Sequence, residues 1–414
     1  MNQQLDILII GGGAAGFFAA IRAGELNTDA RILILERGKE VLTKVKVSGG
    51  GRCNVTHACF IPRDLSGHYP RGEKELLGPF HQFACGDMLD WLDKHGVETK
   101  IEEDGRIFPT TDDSQTIIDC FLNTARQLGI QVLTRQRAEE IIAPSQPGEP
   151  WKVRTPSQTF EARRLMIATG SNTKIWQLLE KLGHRIIQPV PSLFTFNIKD
   201  DRIKKLPGIS MPQARVKVLS TKLESSGPIL ITHWGLSGPA ILKLSAWGAR
   251  ELHKTKYQFR IQVNWPGLDL DHISETILRT QKDWAKKQIQ KQPLFQIPGR
   301  LWHSLCLASH IPEYQRWADL NKKQRQELTR QVGACEFEVN GKSTFKEEFV
   351  TAGGIDLKEV NFKTFESKLL PGLFFAGEVL NIDAITGGFN FQAAWTGSWI
   401  AGRKMAEGVS TSKT

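Results

Sequence analysis

The chain opens on a short apolar run, Leu5 to Ile10, interrupted only by Asp6. Gly11-Gly12-Gly13 follow, then alanine-rich apolar sequence at helical spacing, then a second apolar run, Ile32 to Leu35. Short apolar runs bounded by turn residues read as buried strands, and the stretch between them as a helix. The same alternation continues to about residue 190 and predicts a doubly wound α/β domain. Within it, Asp112 to Gln127 reads as a helix with Asp112 or Asp113 as cap, because Ile117, Ile118, Phe121 and Leu122 recur at helical spacing. Trp151 to Ala162 reads as a hairpin, and Pro189-Val190-Pro191 as a hinge. From about 192 to 265 the pattern is β-rich around one helical stretch, Pro239 to Leu252. Residues 267–333 read as helices broken by Pro293, Pro298 and Pro312. Strands return from 335, and Gly387 to Met405 reads as a closing helix. No internal repeat appears.

The first strand, glycine turn and helix carry chemistry. Gly11-Gly12-Gly13-Ala14-Ala15-Gly16 between a strand and a helix is a dinucleotide-binding fingerprint in its proper context. Gly11 permits the tight turn, Gly13 lets backbone approach a pyrophosphate, and Gly16 lets the helix pack close on the sheet. The helix N-terminus, at Ala14 and Ala15, offers free N–H groups to phosphate. Glu36 ends the second strand 20 residues past Gly16, placed to accept hydrogen bonds from a ribose diol.

Composition removes several alternatives. The 40% hydrophobic and 24% charged fractions over 414 residues are those of a globular protein large enough for two or three domains. No run approaches the roughly 18 apolar residues of a membrane span, and the N-terminus lacks the basic region of a signal peptide. Six cysteines without a CxxC suggest neither a disulfide framework nor a thioredoxin-type pair. Cys53, His57 and Cys59 cluster without a second ligand pair, so no metal is expected. A reducing cytoplasm is the simplest setting.

The net charge of +10 is uneven. Arg279 to Arg330 holds eleven Lys/Arg against four Asp/Glu, with Trp284, Trp302 and Trp317 interleaved. Such a composition suits a surface that meets phosphates and stacks bases. It equally suits a solvated helical face with tryptophans in a small core.

Two later segments point to the dinucleotide. Arg164 to Ser171 is a strand ending in a glycine turn at Ala168-Thr169-Gly170, and Pro371 to Glu378 is a strand ending in Gly377-Glu378. With the fingerprint they resemble the three-part FAD signature of two-dinucleotide-binding flavoproteins, in which the residue matching Glu378 bonds the ribityl chain. No second fingerprint follows a strand elsewhere, so a separate NAD(P)H domain is not expected.

Four further strings narrow the resemblance: Ser48-Gly49-Gly50-Gly51-Arg52-Cys53-Asn54, Thr232 to Ala240 around His233, Thr351 to Ile355, and Thr386 to Ala394. Together they closely resemble the HI0933-like flavoprotein family, also called BaiN-like or aminoacetone-oxidase-like, over almost the whole chain. The resemblance implies a Rossmann-like FAD domain, 1–190 with 336–414, interrupted by a β-barrel-like insert at 191–266 and a small helical insert at 267–335. It assigns Ser48 to Arg52, Asn54, Gly387, Gly388, Phe389 and Asn390 to the cofactor site, together with Arg37, Lys44, Ala138 and Asn381. Asn381 departs from the family, which usually has aspartate there, and keeps the acceptor oxygen without the charge.

The flavin would supply the redox chemistry and the protein its placement. Glycine runs allow close approach to a flat ring, and the N–H groups of Gly387-Gly388 at a helix start would face negative charge building on it. Cys53 reads either as a proton donor, its thiol pKa lowered by Arg52, or as a small packing residue. His233 reads as general acid, substrate ligand or structural histidine, and Asn390 and Gln392 as hydrogen-bonders or helix-face residues. The expected activity is NAD(P)H-driven reduction of an activated C=C. The resemblance implies either the uracil ring of ribosomal RNA, yielding dihydrouridine, or small enones such as oxo-bile acids. The basic helical insert favours RNA. Competing readings are an oxidase of a small amine or aminoketone, and a non-catalytic flavin-bound RNA-binding factor.

Overall fold

The computed structural model describes residues 5–343 and 350–407. The chain divides into two compact units, residues 1–189 with 350–414, and residues 190–349.

The first unit is built on a nine-stranded sheet. Its centre is Leu5–Ile10, with Ile7, Leu8 and Ile9 wholly buried. Ile32–Leu35 runs parallel on one side, followed by Gln131–Leu133. Thr159–Ile167 runs parallel on the other side, followed by Leu373–Phe375. The chain therefore returns to the middle of its own sheet after more than 200 residues. The hairpin of Trp151–Arg154 with Thr159–Ile167 forms as the pattern predicts, with Trp151 opposite Ala162.

Two helices cover the central strands and meet almost backbone to backbone. Ala14–Leu26 comes so close to the sheet turn that a Cβ at Gly16 would run into the Gly11 carbonyl. The closing helix, Phe389–Ala406, lies against it, with a Cβ at Gly402 only 2.6 Å from the Ala19 carbonyl oxygen. Ser398 Oγ donates to the Ala15 carbonyl at 2.8 Å. Ser114–Gln127 is capped by Asp113, which accepts the Gln115 N–H at 2.8 Å. Asp112 takes a left-handed conformation instead and pairs with Arg52 and Lys100.

The second unit contains a seven-stranded sheet in the order Cys335–Asn340, Gln258–Asn264, Ser210–Val218, Glu224–Ile231, Gly235–Ser237, Thr195–Asn197, Lys342–Ser343. The first and last strands of that order are consecutive in the chain, joined at Gly341. The expected single helix from Pro239 to Leu252 is broken: Pro239–Trp247 stops at Gly248, and Ala249–Lys254 starts anew. A Cβ at Gly248 would lie 2.7 Å from Leu223, which accounts for the glycine at the break. Helices Leu270–Asp283, Gly299–Ala308 and Lys322–Gly333 share one hydrophobic core with the strands, joining Ile261 and Val263 to Ile277, Trp302, Leu305 and Leu328. Among the described residues no helix is long and apolar enough to cross a membrane.

Candidate functional site

Three segments far apart in sequence converge on the start of helix Ala14–Leu26. Gly11, at φ +116°, presses against the backbone of Ala168 and Thr169. Gly377 faces Ala15, whose Cβ would lie 3.3 Å from a Cβ at that glycine. Gly170 faces Glu378, whose Oε2 would lie 3.6 Å from its Cβ. Lys44 Nζ completes the cluster, 2.5 Å from Glu378 Oε2. The Glu36 carboxylate accepts the N–H groups of Gly12 at 2.9 Å and Gly38 at 2.6 Å. A carboxylate offers about four acceptor positions, so it retains capacity for a diol.

This cluster has the properties of a dinucleotide cradle. A Cβ at Gly13 would meet nothing within 4 Å, so the helix start is open on that side. No side chain caps the helix, which leaves the N–H groups of its first turn for an anion. Thr169 Oγ1 is buried without a hydrogen-bond partner, a condition buried hydroxyls rarely tolerate. The site fits the phosphates and ribityl hydroxyls of FAD. Arg37 is exposed, and Ala138 is buried in the segment after strand Gln131–Leu133. Asn381 is half-buried, with its N–H donated to the Ile355 carbonyl at 3.1 Å.

A second set of residues gathers around the glycine runs. The helix Thr43–Gly51 loses helical geometry at Ser48, and Gly49, Gly50 and Gly51 all have positive φ. Gly50 and Gly51 have open space where side chains would be, whereas a Cβ at Gly49 would lie 2.8 Å from Phe108 and from the Asn54 nitrogen. The Asn54 amide, oriented to satisfy both ends, donates to the Thr56 carbonyl at 2.9 Å and accepts the Gly388 N–H at 3.0 Å. It thereby ties the first glycine run to the last. The expectation that both Gly387 and Gly388 present free N–H groups is corrected accordingly, since that of Gly388 is used. Asn390 also turns inward: its Oδ1 accepts the Ala384 N–H at 3.0 Å and its Nδ2 reaches the Ala384 carbonyl at 3.4 Å. Gln392 is wholly buried between Thr56 and Thr396.

Cys53 follows this glycine run in a left-handed conformation, fully buried. Burial pushes its thiol up to about 12, against a smaller lowering by Ser48. The expectation that Arg52 lowers it is therefore wrong. Arg52 is adjacent in sequence but spends its charge on Glu102 at 2.6 Å and Asp112 at 3.2 Å, with its guanidinium 3.9 Å over the Phe108 ring. His233 lies in the other unit, exposed on the turn Thr232–Gly235.

Sequence reading missed an aromatic cluster beside the last glycine run. Phe389 stacks on His68, with centroids 4.2 Å apart, and meets His57 at a tilt, 4.5 Å away. His57 Nδ1 is 3.1 Å from the Gly387 carbonyl, which can only accept, so Nδ1 carries the proton. Burial lowers the His57 pKa and favours the neutral ring. Tyr69 donates to the Phe389 carbonyl at 2.6 Å, and Arg71 forks onto the wholly buried Asp383. Residues 57–71 thus brace the loop that precedes the closing helix. No spacing links positions more than 300 residues apart, so no sequence signal marks this contact.

The charge also separates by unit. Residues 190–349 hold 25 Lys/Arg and 15 Asp/Glu, while the rest of the chain holds 29 of each. All of the net +10 thus resides in one unit. Between Arg279 and Arg330 ten of the eleven cations are exposed, Arg325 being half-buried. Among the described residues only Arg330 of these pairs with a carboxylate, Glu327. The tryptophans divide: Trp302 and Trp317 are in the core with no exposed surface, so for these two the small-core alternative holds and base stacking does not. Trp284 is half-buried with Lys287 Nζ 4.5 Å over its ring.

Residues 5–404 match the family described as HI0933-like protein Rossmann domain. The chain is 28% identical to a ribosomal RNA dihydrouridine synthase of Escherichia coli, covering 96% of this chain and 97% of the relative. It is also 28% identical to a 3-dehydro-bile acid delta(4,6)-reductase of Clostridium scindens, covering 96% and 98%. Its fold is similar to a 3-ketosteroid-delta4-(5alpha)-dehydrogenase from Rhodococcus jostii, with TM-score 0.53, 15% identity and coverage of 98% and 97%. A 3-ketosteroid delta1-dehydrogenase from Sterolibacterium denitrificans gives TM-score 0.53 at 11% identity, covering 98% and 100%. With the fingerprint, the Glu378 cluster and the glycine runs assembled over the whole first unit, the chain belongs to the HI0933-like family of FAD-dependent oxidoreductases.

Proposed function

We propose that the protein reduces an activated C=C with NAD(P)H as electron donor, and that its substrate is a uracil of ribosomal RNA. The observation that carries the RNA reading is the concentration of the entire net charge in residues 190–349, with exposed cations from Arg279 to Lys323 lacking carboxylate partners. Unpaired cations on one unit suit a polyanion and have no use for a neutral small molecule. The two relatives support reduction of a C=C, and the dihydrouridine synthase supports RNA. In this reading the sheet of the second unit forms the barrel-like insert, and the helices of 267–335 the helical one.

Bound FAD supplies hydride chemistry. The first-turn N–H groups of Ala14–Leu26 would hold its phosphates, Glu36 its ribose, and Glu378 with Lys44 the chain that leads to the ring. Cys53 serves as proton donor to the carbon that does not receive hydride. A thiol held near 12 stays protonated across the physiological range, which disfavours a thiolate nucleophile.

Two outcomes are expected. Because no second fingerprint follows a strand in the sequence, NADPH or NADH should bleach the flavin in anaerobic stopped-flow without binding tightly to the FAD-free protein. Stoichiometric nicotinamide binding without FAD contradicts this. Replacing Lys286, Lys287, Lys322 and Lys323 with glutamine should lower the slope of log RNA affinity against log salt by up to about 3–4 units, at roughly 0.7–0.9 per phosphate contact. FAD content should not change. An unaltered slope removes this surface from RNA binding and moves weight to a small-molecule substrate. Mapping dihydrouridine in ribosomal RNA from cells with and without the gene tests the substrate directly.

A further inference from the structure

We infer that Trp234 is a stacking platform for an unpaired base of the RNA strand, with Lys199 meeting the adjoining phosphate. The inference rests on the RNA reading above and adds to it a contact outside the 279–330 surface.

Trp234 is 49% exposed at the tip of a tight turn. The turn is held from several directions. The Thr232 N–H donates to the Gly235 carbonyl at 2.8 Å, and the Trp234 carbonyl accepts the Ile198 N–H at 2.8 Å. Phe196 pairs with Leu236 and Asn197 with Gly235 in the sheet below. A Cβ at Gly235 would run into the Phe196 carbonyl, so the strands close on the turn without room for a side chain. Phe196 and Leu236 are fully buried, anchoring both strands in the core.

An indole presented on such a mount has already lost the backbone freedom that binding would otherwise remove. Among the described residues its ring contact is with His233, tilted and 6.0 Å between centroids, and about half of the residue's surface stays open to a flat partner. The segment that accepts this turn continues from Ile198 directly into Lys199, which is exposed and forms no ion pair among the described residues. An exposed aromatic face with an exposed cation one residue along from the backbone that binds its turn is the combination that holds a single strand, because every base has a π face and every linkage a charge. The net +10 of the unit favours a polyanion over a neutral planar ring.

The test uses FAD-loaded enzyme and two probes of equal length, a single-stranded uridine-rich oligoribonucleotide and a duplex RNA. Affinity is measured by fluorescence anisotropy over a salt series. Trp234→Ala should weaken single-strand binding about 10-fold or more at every salt concentration with an unchanged salt slope, since stacking carries no charge. Duplex affinity should not change, because paired bases are not free to stack. Trp234→Phe should keep most of the affinity. Lys199→Gln should instead reduce the single-strand slope by about 0.7. Wild-type single-strand affinity in Trp234→Ala, or an equal loss on duplex, overturns the platform while leaving the RNA reading intact. Failure of the wild-type enzyme to bind either RNA at low salt overturns the RNA reading and the platform together.

Discussion

Gly13→Val should yield a folded, colourless protein. Three glycines of the fingerprint have separate physical duties, and only this one can be changed without disturbing the protein itself. Its backbone, at φ −94° and ψ −170°, is extended and open to any residue. A Cβ there meets no protein atom within 4 Å. The added isopropyl group therefore occupies only the space where a pyrophosphate would approach. The expected result is loss of flavin absorbance with unchanged circular dichroism and an unfolding midpoint close to that of the wild-type protein stripped of FAD. Gly16→Ala provides the contrast, since its methyl collides with the Gly11 carbonyl and should damage the fold as well. A yellow Gly13→Val protein with full FAD content would remove the phosphates from this helix start.

Cys53→Ala should retain FAD and its reduction by NAD(P)H, yet lose product formation by about 10²–10⁴-fold, the usual contribution of general acid catalysis. The pH dependence separates this thiol from other donors. Because burial raises it to about 12, it remains protonated through pH 9 and its own titration cannot produce an alkaline loss of activity below about pH 11. An alkaline limb near pH 8–9 that persists in Cys53→Ala would belong to a different acid. Full turnover in Cys53→Ala assigns the residue to packing, for which its complete burial and small size also suit it.

Much of the first unit is legible in the sequence because its demands are local. Gly11 and Gly16 answer to contacts within a strand–turn–helix of some twenty residues, and the apolar runs at Leu5 and Ile32 declare strands buried on both faces. The site is less legible wherever charge and burial are decided by distant chain. Arg52 sits beside Cys53 in sequence, yet Glu102 and Asp112, supplied by other segments, take its charge away from the thiol. Counting tryptophans among lysines could not separate Trp302 and Trp317, which fill the core, from Trp284, which lies under a lysine. The cluster of His68, Phe389 and His57 had no local trace at all, because it exists only once the closing helix has met residues 57–68.

That closing helix also sets a schedule for the ribosome. Helix Ala14–Leu26 is made well before its partner, and its Phe17 and Phe18 have no exposed surface in the finished protein. Its long partner, Phe389–Ala406, is translated only after the whole of residues 190–349. At about 5–20 residues per second, roughly 20–70 s separate the two. During that time the nascent chain carries an uncovered apolar helix and half of a phosphate cradle, since Gly377 and Glu378 are still unmade. The contiguous unit 190–349 can assemble meanwhile, so the segment with the basic surface precedes the cofactor domain in order of completion. The cradle for FAD is therefore complete only after Gly377 and Glu378 have been made, and the early helix stays uncovered until the closing helix follows.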